Sequence, residues 1–333
     1  MPDKIKFGII GCSQIAKKSV LPAINASENS EITFIGSRSL EKAKSFSKFF
    51  KCNDYGSYDD VINSKDIDAI YVSLPIGLQQ KWISKAAKNK KHIICEKSST
   101  DSYPSAKKMV LDCKQNHVRL MEGLMFRFHP QHSKVKQIIS KNQLGDVFSF
   151  HGNYGFPMPS KNNIRLKNKL GGGVLNDAGC YPVCASRIIF KSEPIKVFCN
   201  LFKKTNISVD LKFTGCLVFP ENKIATMNVG YGMHFQSTYD LWGNKGQIHL
   251  HRAYNVPPNE KTIISIKTKK SSRIEINPSN HYKIMIDIFC QELKGKKYHV
   301  FNFEEDLINQ AKIMEALRLS HKENRVVKIN EIK

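Results

Sequence analysis

The segment Gly11-Cys12-Ser13-Gln14-Ile15-Ala16 follows an apolar run, Lys4–Ile10, and opens a stretch with helical spacing. It reads as G-x-G-x-x-A with Ser in place of the second Gly. Such a turn suits an anion. Gly11 permits a tight bend, Ser13 is small enough for backbone to approach a pyrophosphate, and Ala16 lets the helix pack on the strand. The helix N–H groups then face the negative charge. Gly11, Cys12, Ser13, Gln14 and Ile15 are therefore the expected cradle of a dinucleotide. The next apolar run ends Ile35-Gly36-Ser37-Arg38-Ser39, with Lys42 one turn into the following helix. NAD sites usually place Asp or Glu at this point to accept from the ribose hydroxyls. A carboxylate would repel a 2′-phosphate, whereas Ser37, Arg38 and Lys42 would bind one, so NADP(H) is expected over NAD(H). The plainer alternative is that Arg38 is a solvated residue at a helix start.

The surrounding elements must hold this turn in place. Apolar strand patterns at Lys4–Ile10, Glu31–Ser37, Ala69–Leu74, His92–Cys95 and Arg119–Glu122 alternate with helical ones. The helical patterns cover Ile15–Ala26, Leu40–Phe50, Gln79–Asn89 and Pro104–Asn116. Strand–helix alternation at this pitch implies right-handed crossovers and a parallel sheet covered on both faces. After residue 122 the pattern changes. Two helices, Pro130–Lys141 and Gly173–Phe190, precede five consecutive strand-like runs between Ile195 and His251, with Gly243-Asn244-Lys245-Gly246 as a turn. Helices at His281–Leu293 and Glu304–His321 close the chain. The expected architecture is α/β plus α+β. Residues 1–122 form a doubly wound parallel sheet of Rossmann type, and residues 123–333 a predominantly antiparallel open sheet with helices on one face.

Composition narrows the function. The 333 residues carry 52 basic and 29 acidic side chains, a formal charge of +23, and 43 of the basic residues are Lys. Nucleic-acid readers favour Arg for its planar fork. Lys spread along a whole chain reads instead as a solvated coat, compatible with acidic substrates, and a dedicated nucleic-acid protein is not expected. Nine cysteines include no C-x-x-C pair and mostly lie in apolar runs, so neither zinc nor any other metal is expected. No stretch approaches the roughly 18 apolar residues of a membrane helix, and Met1-Pro2-Asp3-Lys4 does not begin a signal peptide, which together suggest a reduced cytoplasm.

Several motifs occur in order. They are Gly11–Ala16, Asp68-Ala69-Ile70-Tyr71-Val72-Ser73-Leu74-Pro75, Cys95-Glu96-Lys97, the run Glu122–Gln131, Asn163-Ile164-Arg165 and the run Gly171–Tyr181. Together, over nearly the whole chain, they resemble the glucose–fructose oxidoreductase/inositol dehydrogenase (Gfo/Idh/MocA) family. The segments Phe128–Gln131, Gly179–Val183 and Tyr239–Arg252 look most similar to its NADPH-dependent sugar 3-ketoreductases, which act on nucleotide-linked sugars. The resemblance implies a Rossmann domain, a substrate domain, and a homodimer or homotetramer formed through the open sheet. It carries over Leu74, Pro75, Gln79, Glu96 and Lys97 as cofactor contacts. The chain departs from the family pattern in two places. Ser98 replaces the Pro of Glu-Lys-Pro, and Ile76 and Gln79 stand where the family often has Asn and His.

Reduction of a ketone builds negative charge on oxygen and calls for a proton donor beside a positive field. Tyr181 is the expected acid–base. Its ordinary pKa of about 10 must come down, which a nearby ammonium achieves. Lys97, at the C-terminal end of a parallel strand where open α/β sheets place ligands, is expected to supply that ammonium, polarise the carbonyl and hold the nicotinamide ribose. Asp177 precedes Tyr181 by four residues and shares its helix face. It is expected either to accept from sugar hydroxyls or to cap or pair structurally. Arg165 is either a clamp on a substrate phosphate or half of a structural ion pair. Lys97, Arg165, Asp177 and Tyr181 thus form the candidate substrate set. The leading reading is an NADP(H)-dependent oxidoreductase acting on a sugar or cyclic polyol, plausibly nucleotide-linked. The alternatives are a dihydrodiol or aldose dehydrogenase, and a non-catalytic NADP-binding regulator.

Overall fold

A computed structural model describes residues 4–296 and 301–333, and the chain separates into two compact units. The first comprises Met1–Met125 and His281–Ile308, the second Phe126–Asn280 and Asn309–Lys333.

In the first unit six strands run parallel: β1 (Ile5–Ile10), β2 (Ser30–Gly36), β3 (Asp54–Gly56), β4 (Ala69–Val72), β5 (His92–Cys95) and β6 (Leu120–Glu122). Their order is β3-β2-β1-β4-β5-β6, so the winding reverses between β1 and β4. Strands buried on both faces need apolar residues throughout, and the Phe7, Ile9, Ile10, Ile70, Tyr71, Val72, Ile93 and Ile94 side chains are fully buried. The helices are α1 (Leu21–Ala26), α2 (Leu40–Phe50), α3 (Tyr58–Asn63), α4 (Ile76–Lys88) and α5 (Tyr103–Gln115). A π-helical turn, Ala16–Val20, leads into α1, where uninterrupted α-helix was expected. The short β3 and α3 fall outside the sequence expectation. Strand β3 is only three residues long, while α3 is begun by a reciprocal cap in which Ser57 Oγ accepts from Asp60 N and Asp60 Oδ2 accepts from Ser57 N.

A boundary at residue 122 with everything beyond it in one domain does not describe these units. Residues 281–308 return to the first one. Arg119, at the start of β6, donates to Glu292 Oε1 at 2.8 Å and Glu304 Oε1 at 2.9 Å, while Phe7 and Phe289 pack with ring centroids 6.4 Å apart. These pairings anchor α8 (His281–Leu293) and the first residues of α9 (Phe303–Glu323).

The second unit is built on nine strands in the order β14-β13-β12-β11-β7-β10-β9-β8-β15. They are β7 (Val147–Phe156), β8 (Lys196–Lys203), β9 (Asp210–Val218), β10 (Ile224–Tyr231), β11 (Gln236–Gly243), β12 (Gln247–Leu250), β13 (Thr262–Lys267), β14 (Ser271–Ile276) and β15 (Val327–Lys328). Every pairing is antiparallel except that of β7 with β10. The sheet is thus predominantly antiparallel, as expected, but its central strand β7 and the β13–β14 hairpin lie outside the runs read from sequence. Helices α6 (Pro130–Ser140) and α7 (Cys180–Phe190) belong to this unit, together with the part of α9 from Asn309 onward. Gly152 of β7 is required where α7 approaches, because a Cβ there would lie 2.8 Å from Pro182 Cβ and from Tyr254 Oη. Phe198, Phe202 and Trp242 are exposed along the sheet. Among the described residues no helix is long and apolar enough to cross a membrane.

His129 stands just before α6, and its Nδ1 accepts from Gln131 N at 3.3 Å, capping a helix that begins with Pro130. Burial lowers its imidazole to about 4 from an ordinary 6.5. The unfolded chain therefore takes up this proton first. Stability from this group is complete above an unfolded pKa of about 6.5 and declines as pH falls towards about 4. We expect urea unfolding to register a loss of roughly 2 kcal/mol from this group between pH 7.5 and pH 5. His129→Asn, which keeps a capping oxygen, should show correspondingly less pH dependence over that interval. Identical pH dependence in the two proteins would contradict the assignment.

Candidate active site

Gly11 leaves β1 with φ +102°, and a Cβ on it would sit 2.5 Å from the Ser73 carbonyl oxygen. Only glycine allows the β1 and β4 ends to approach this closely. The hydroxyls of Ser13 and Ser73 are hydrogen-bonded, and Ser13 Oγ accepts from Ala16 N at 3.1 Å, capping the π-helical turn. Ser13 therefore adds a cap at the position where the fingerprint has its second glycine. Gln14 is exposed, while Ser13 and Ile15 are half-buried. Burial pushes the Cys12 thiol up to about 11, so it brings no negative charge to the turn.

The end of β2 bears no carboxylate. Ser37 is buried, with its Oγ accepting from Ser39 N at 3.2 Å, and Arg38 and Lys42 are exposed. The Tyr58 hydroxyl interacts with Arg38, and its ring stands edge-on to Trp82 with centroids 4.9 Å apart. Sequence reading missed Tyr58. The register that pairs Gly36 with Gly56 places these neighbours side by side, but β3 is too short to be read from its residue pattern. A close-approach glycine, a capped helix start, and a cationic β2 end together fit a dinucleotide with a 2′-phosphate.

Lys97 follows β5, which is the fifth strand rather than the fourth because β3 precedes it. Its side chain is half-buried, and the Lys97–Ser98 peptide is cis. Glu96 Oε1 accepts from the Tyr71 hydroxyl at 2.6 Å. Burial and the neighbouring Glu96 carboxylate hold the Tyr71 pKa well above its ordinary value, so it remains a donor. Leu74 is buried beside Gly11, and Pro75 opens α4 by accepting from Leu78 N at 2.9 Å. Gln79 differs from expectation. It is fully buried, and its Nε2 donates to Leu74 O at 3.3 Å and Ser98 O at 3.2 Å. Its amide is engaged inside the fold rather than presented to a ligand.

In the second unit, the loop Gly171–Gly173 leads into a π-helical turn, Leu175–Gly179, and then α7, where a continuous helix was expected. Gly173 has φ +119°, and a Cβ there would lie 2.3 Å from Asp210 Oδ1. Asp210 Oδ2 accepts from Leu175 N at 2.7 Å, fixing the start of the turn. Asp177 Oδ2 accepts from Arg165 Nε at 2.7 Å and lies 3.1 Å from the Tyr231 hydroxyl. That hydroxyl is also 3.2 Å from Gly173 O. Burial, then the Asp177 charge, raises the Tyr231 pKa, which keeps the phenol protonated. Arg165 and Asp177 are thus ion-paired, with Asp177 keeping a small exposed fraction of its side chain. Tyr231 was not read from sequence because it ends the apolar run of β10 and looks like core. Tyr181 is buried, with its ring against Phe126, Tyr154 and Tyr254 at centroid distances of 5.7, 5.2 and 5.8 Å. Arg165 is near enough to sense Tyr181 electrostatically.

Residues 5–124 match the model of an oxidoreductase family with an NAD-binding Rossmann fold, and residues 132–249 match the GFO/IDH/MocA C-terminal domain. A dTDP-3,4-didehydro-2,6-dideoxy-alpha-D-glucose 3-reductase from Actinomadura kijaniata is 27% identical over 95% of both chains. A D-xylose 1-dehydrogenase (NADP(+)) from Haloferax volcanii is 30% identical over 86% of this chain and 89% of its own. Among solved structures, KijD10, a 3-ketoreductase from Actinomadura kijaniata in complex with NADP and TDP-benzene, superposes with a TM-score of 0.91. It is 27% identical and covers 96% of this chain and 98% of its own. KijD10 has also been solved with single substitutions at one lysine and at one tyrosine. An aldose-aldose oxidoreductase from Caulobacter crescentus, at 23% identity and a TM-score of 0.90, shares the fold. On these matches across both units, the chain belongs to the Gfo/Idh/MocA family of oxidoreductases.

Proposed function

We propose that this protein is an NADP(H)-dependent ketoreductase acting on a nucleotide-linked sugar, with Tyr181 as proton donor and Lys97 as the cation at the reacting carbonyl. One observation carries the reading. The lysine and the tyrosine substituted in KijD10 stand as far apart along that chain as Lys97 and Tyr181 do along this one. A bound nicotinamide cofactor supplies the hydride to the carbonyl carbon. The remaining work falls to the chain. Gly11, Cys12, Ser13, Gln14 and Ile15 cradle the pyrophosphate, and Leu74, Pro75 and Glu96 line its approach. Ser37, Arg38 and Lys42 hold the 2′-phosphate. Lys97 stabilises charge developing on the carbonyl oxygen, and Tyr181 delivers a proton from Oη to that oxygen. Asp177, held by Arg165 and Tyr231, accepts from the sugar hydroxyls.

The exposed Phe198, Phe202 and Trp242 on the nine-stranded sheet support a homodimer or homotetramer formed through that sheet. Cysteines that are free among the described residues, and almost all buried, support residence in a reduced cytoplasm.

Two measurements test this reading. NADPH oxidation should be faster by about two orders of magnitude or more with a dTDP-linked 3-ketosugar than NADP+ reduction with D-xylose, because the diphosphate adds charge-assisted contacts. The opposite ranking would favour an aldose dehydrogenase, to which the 30% identity with the Haloferax volcanii enzyme points. Calorimetry on Arg38→Ala should show NADPH binding weakened about tenfold or more and NADH binding changed by no more than about twofold. Equal loss for both cofactors would remove Arg38 from the 2′-phosphate site.

A further inference from the structure

Three buried side chains from three separate elements grip the turn that carries Lys97. Tyr71 from β4 holds the Glu96 carboxylate, Gln79 from α4 holds the Ser98 carbonyl, and Glu122 from β6 accepts from Ser99 N at 2.7 Å. Residues on both sides of Lys97 are thus tied down by groups in the sheet and the helix behind them. Gln79 differs from the other two because it joins two loops. Its one amide nitrogen reaches Ser98 O at 3.2 Å and Leu74 O at 3.3 Å, linking the lysine turn to the loop packed on Gly11.

The same side chain leaves Oε1 buried with no hydrogen-bond partner among the described residues. A buried polar atom in that state is destabilising, a cost set against the two bonds that Nε2 donates. The amide orientation is nevertheless determined. Turning it over would set Oε1 against two carbonyl oxygens and forfeit both bonds. Two of the three residues that depart from the family pattern, Gln79 and Ser98, are in contact with each other.

We infer that Gln79 is a positioning residue for Lys97, fixing where its ammonium lies by tying the Ser98 carbonyl to that of Leu74. The inference rests on the reading that Lys97 acts at the carbonyl. A displacement of about 1 Å in a catalytic group costs up to about a hundredfold in rate, so a tether on the residue next to Lys97 has a measurable effect.

The test uses the full chain with NADPH and the ketosugar that it reduces. Gln79→Met keeps the side-chain length and removes both donors and the orphaned oxygen. It should lower kcat about tenfold, leave the calorimetric Kd for NADPH within about twofold, and shift Tm by no more than about 3 °C. Combined with Lys97→Ala, Gln79→Met should cause no further loss, because the group that it positions is gone. A wild-type rate in Gln79→Met, or a loss that adds to that of Lys97→Ala, would overturn the inference. Wild-type turnover in Lys97→Ala alone would instead overturn the reading of Lys97, whatever Gln79 does. If the Met variant does not fold, Gln79→Asn is held to the same outcomes, since its shorter amide cannot span both carbonyls.

Discussion

The constraint on which the nucleotide-binding unit depends is the approach of Gly11 to the Ser73 carbonyl, close enough that a Cβ would sit 2.5 Å from the oxygen. It lies where the winding of the sheet reverses, between β1 and β4, the point at which open parallel sheets leave a crevice for ligands. Once Gly11 is seated there, the Ser13 and Ser73 hydroxyls meet and the first helical turn is capped. Leu74 packs beside the same glycine, its carbonyl faces Gln79, and Gln79 reaches on to Ser98. A single seam of short contacts thus runs from the Gly11 turn to the Lys97 turn along the C-terminal edge of the sheet.

The second unit solves a different problem, that of holding a carboxylate in a mostly buried place. Asp177 has an exposed side-chain fraction of 13%, so its charge requires compensation. Arg165 provides the opposite charge and Tyr231 a neutral donor, while Asp210 and Gly173 fix the turn from which Asp177 projects. Tyr181 lies one helical turn further on, among aromatic rings that limit its freedom. The excess of lysine over the rest of the chain plays no part in either arrangement.

Much of this was legible from residue order. The fingerprint at Gly11–Ala16, the absence of an acid after β2 and the parallel-then-antiparallel grammar all follow from local pattern, as does a structural ion pair as one of two options for Arg165, though not its partner. What escaped was either too short or dependent on distant partners. Strand β3 spans only Asp54–Gly56, and β7, its pattern interrupted by Gly152 and Gly155, gives little strand signal before its neighbours pair on both sides. The return of residues 281–308 depends on Arg119 meeting Glu292 and Glu304, which no local pattern encodes. Gln79 reads as a ligand contact because the family resemblance carries it over together with Leu74 and Pro75. Only the packing of α4 against the Lys97 turn shows the amide facing inward.

The central claim is that a phenol on the substrate unit protonates the ketone that the cofactor reduces. Single-turnover oxidation of prebound NADPH by a dTDP-linked 3-ketosugar in Tyr181→Phe tests it most directly. The account predicts NADPH affinity within about twofold of wild type and a reduction rate slower by about two to four orders of magnitude, the usual contribution of a positioned acid. A wild-type rate in that variant, with NADPH equally well bound, would contradict it.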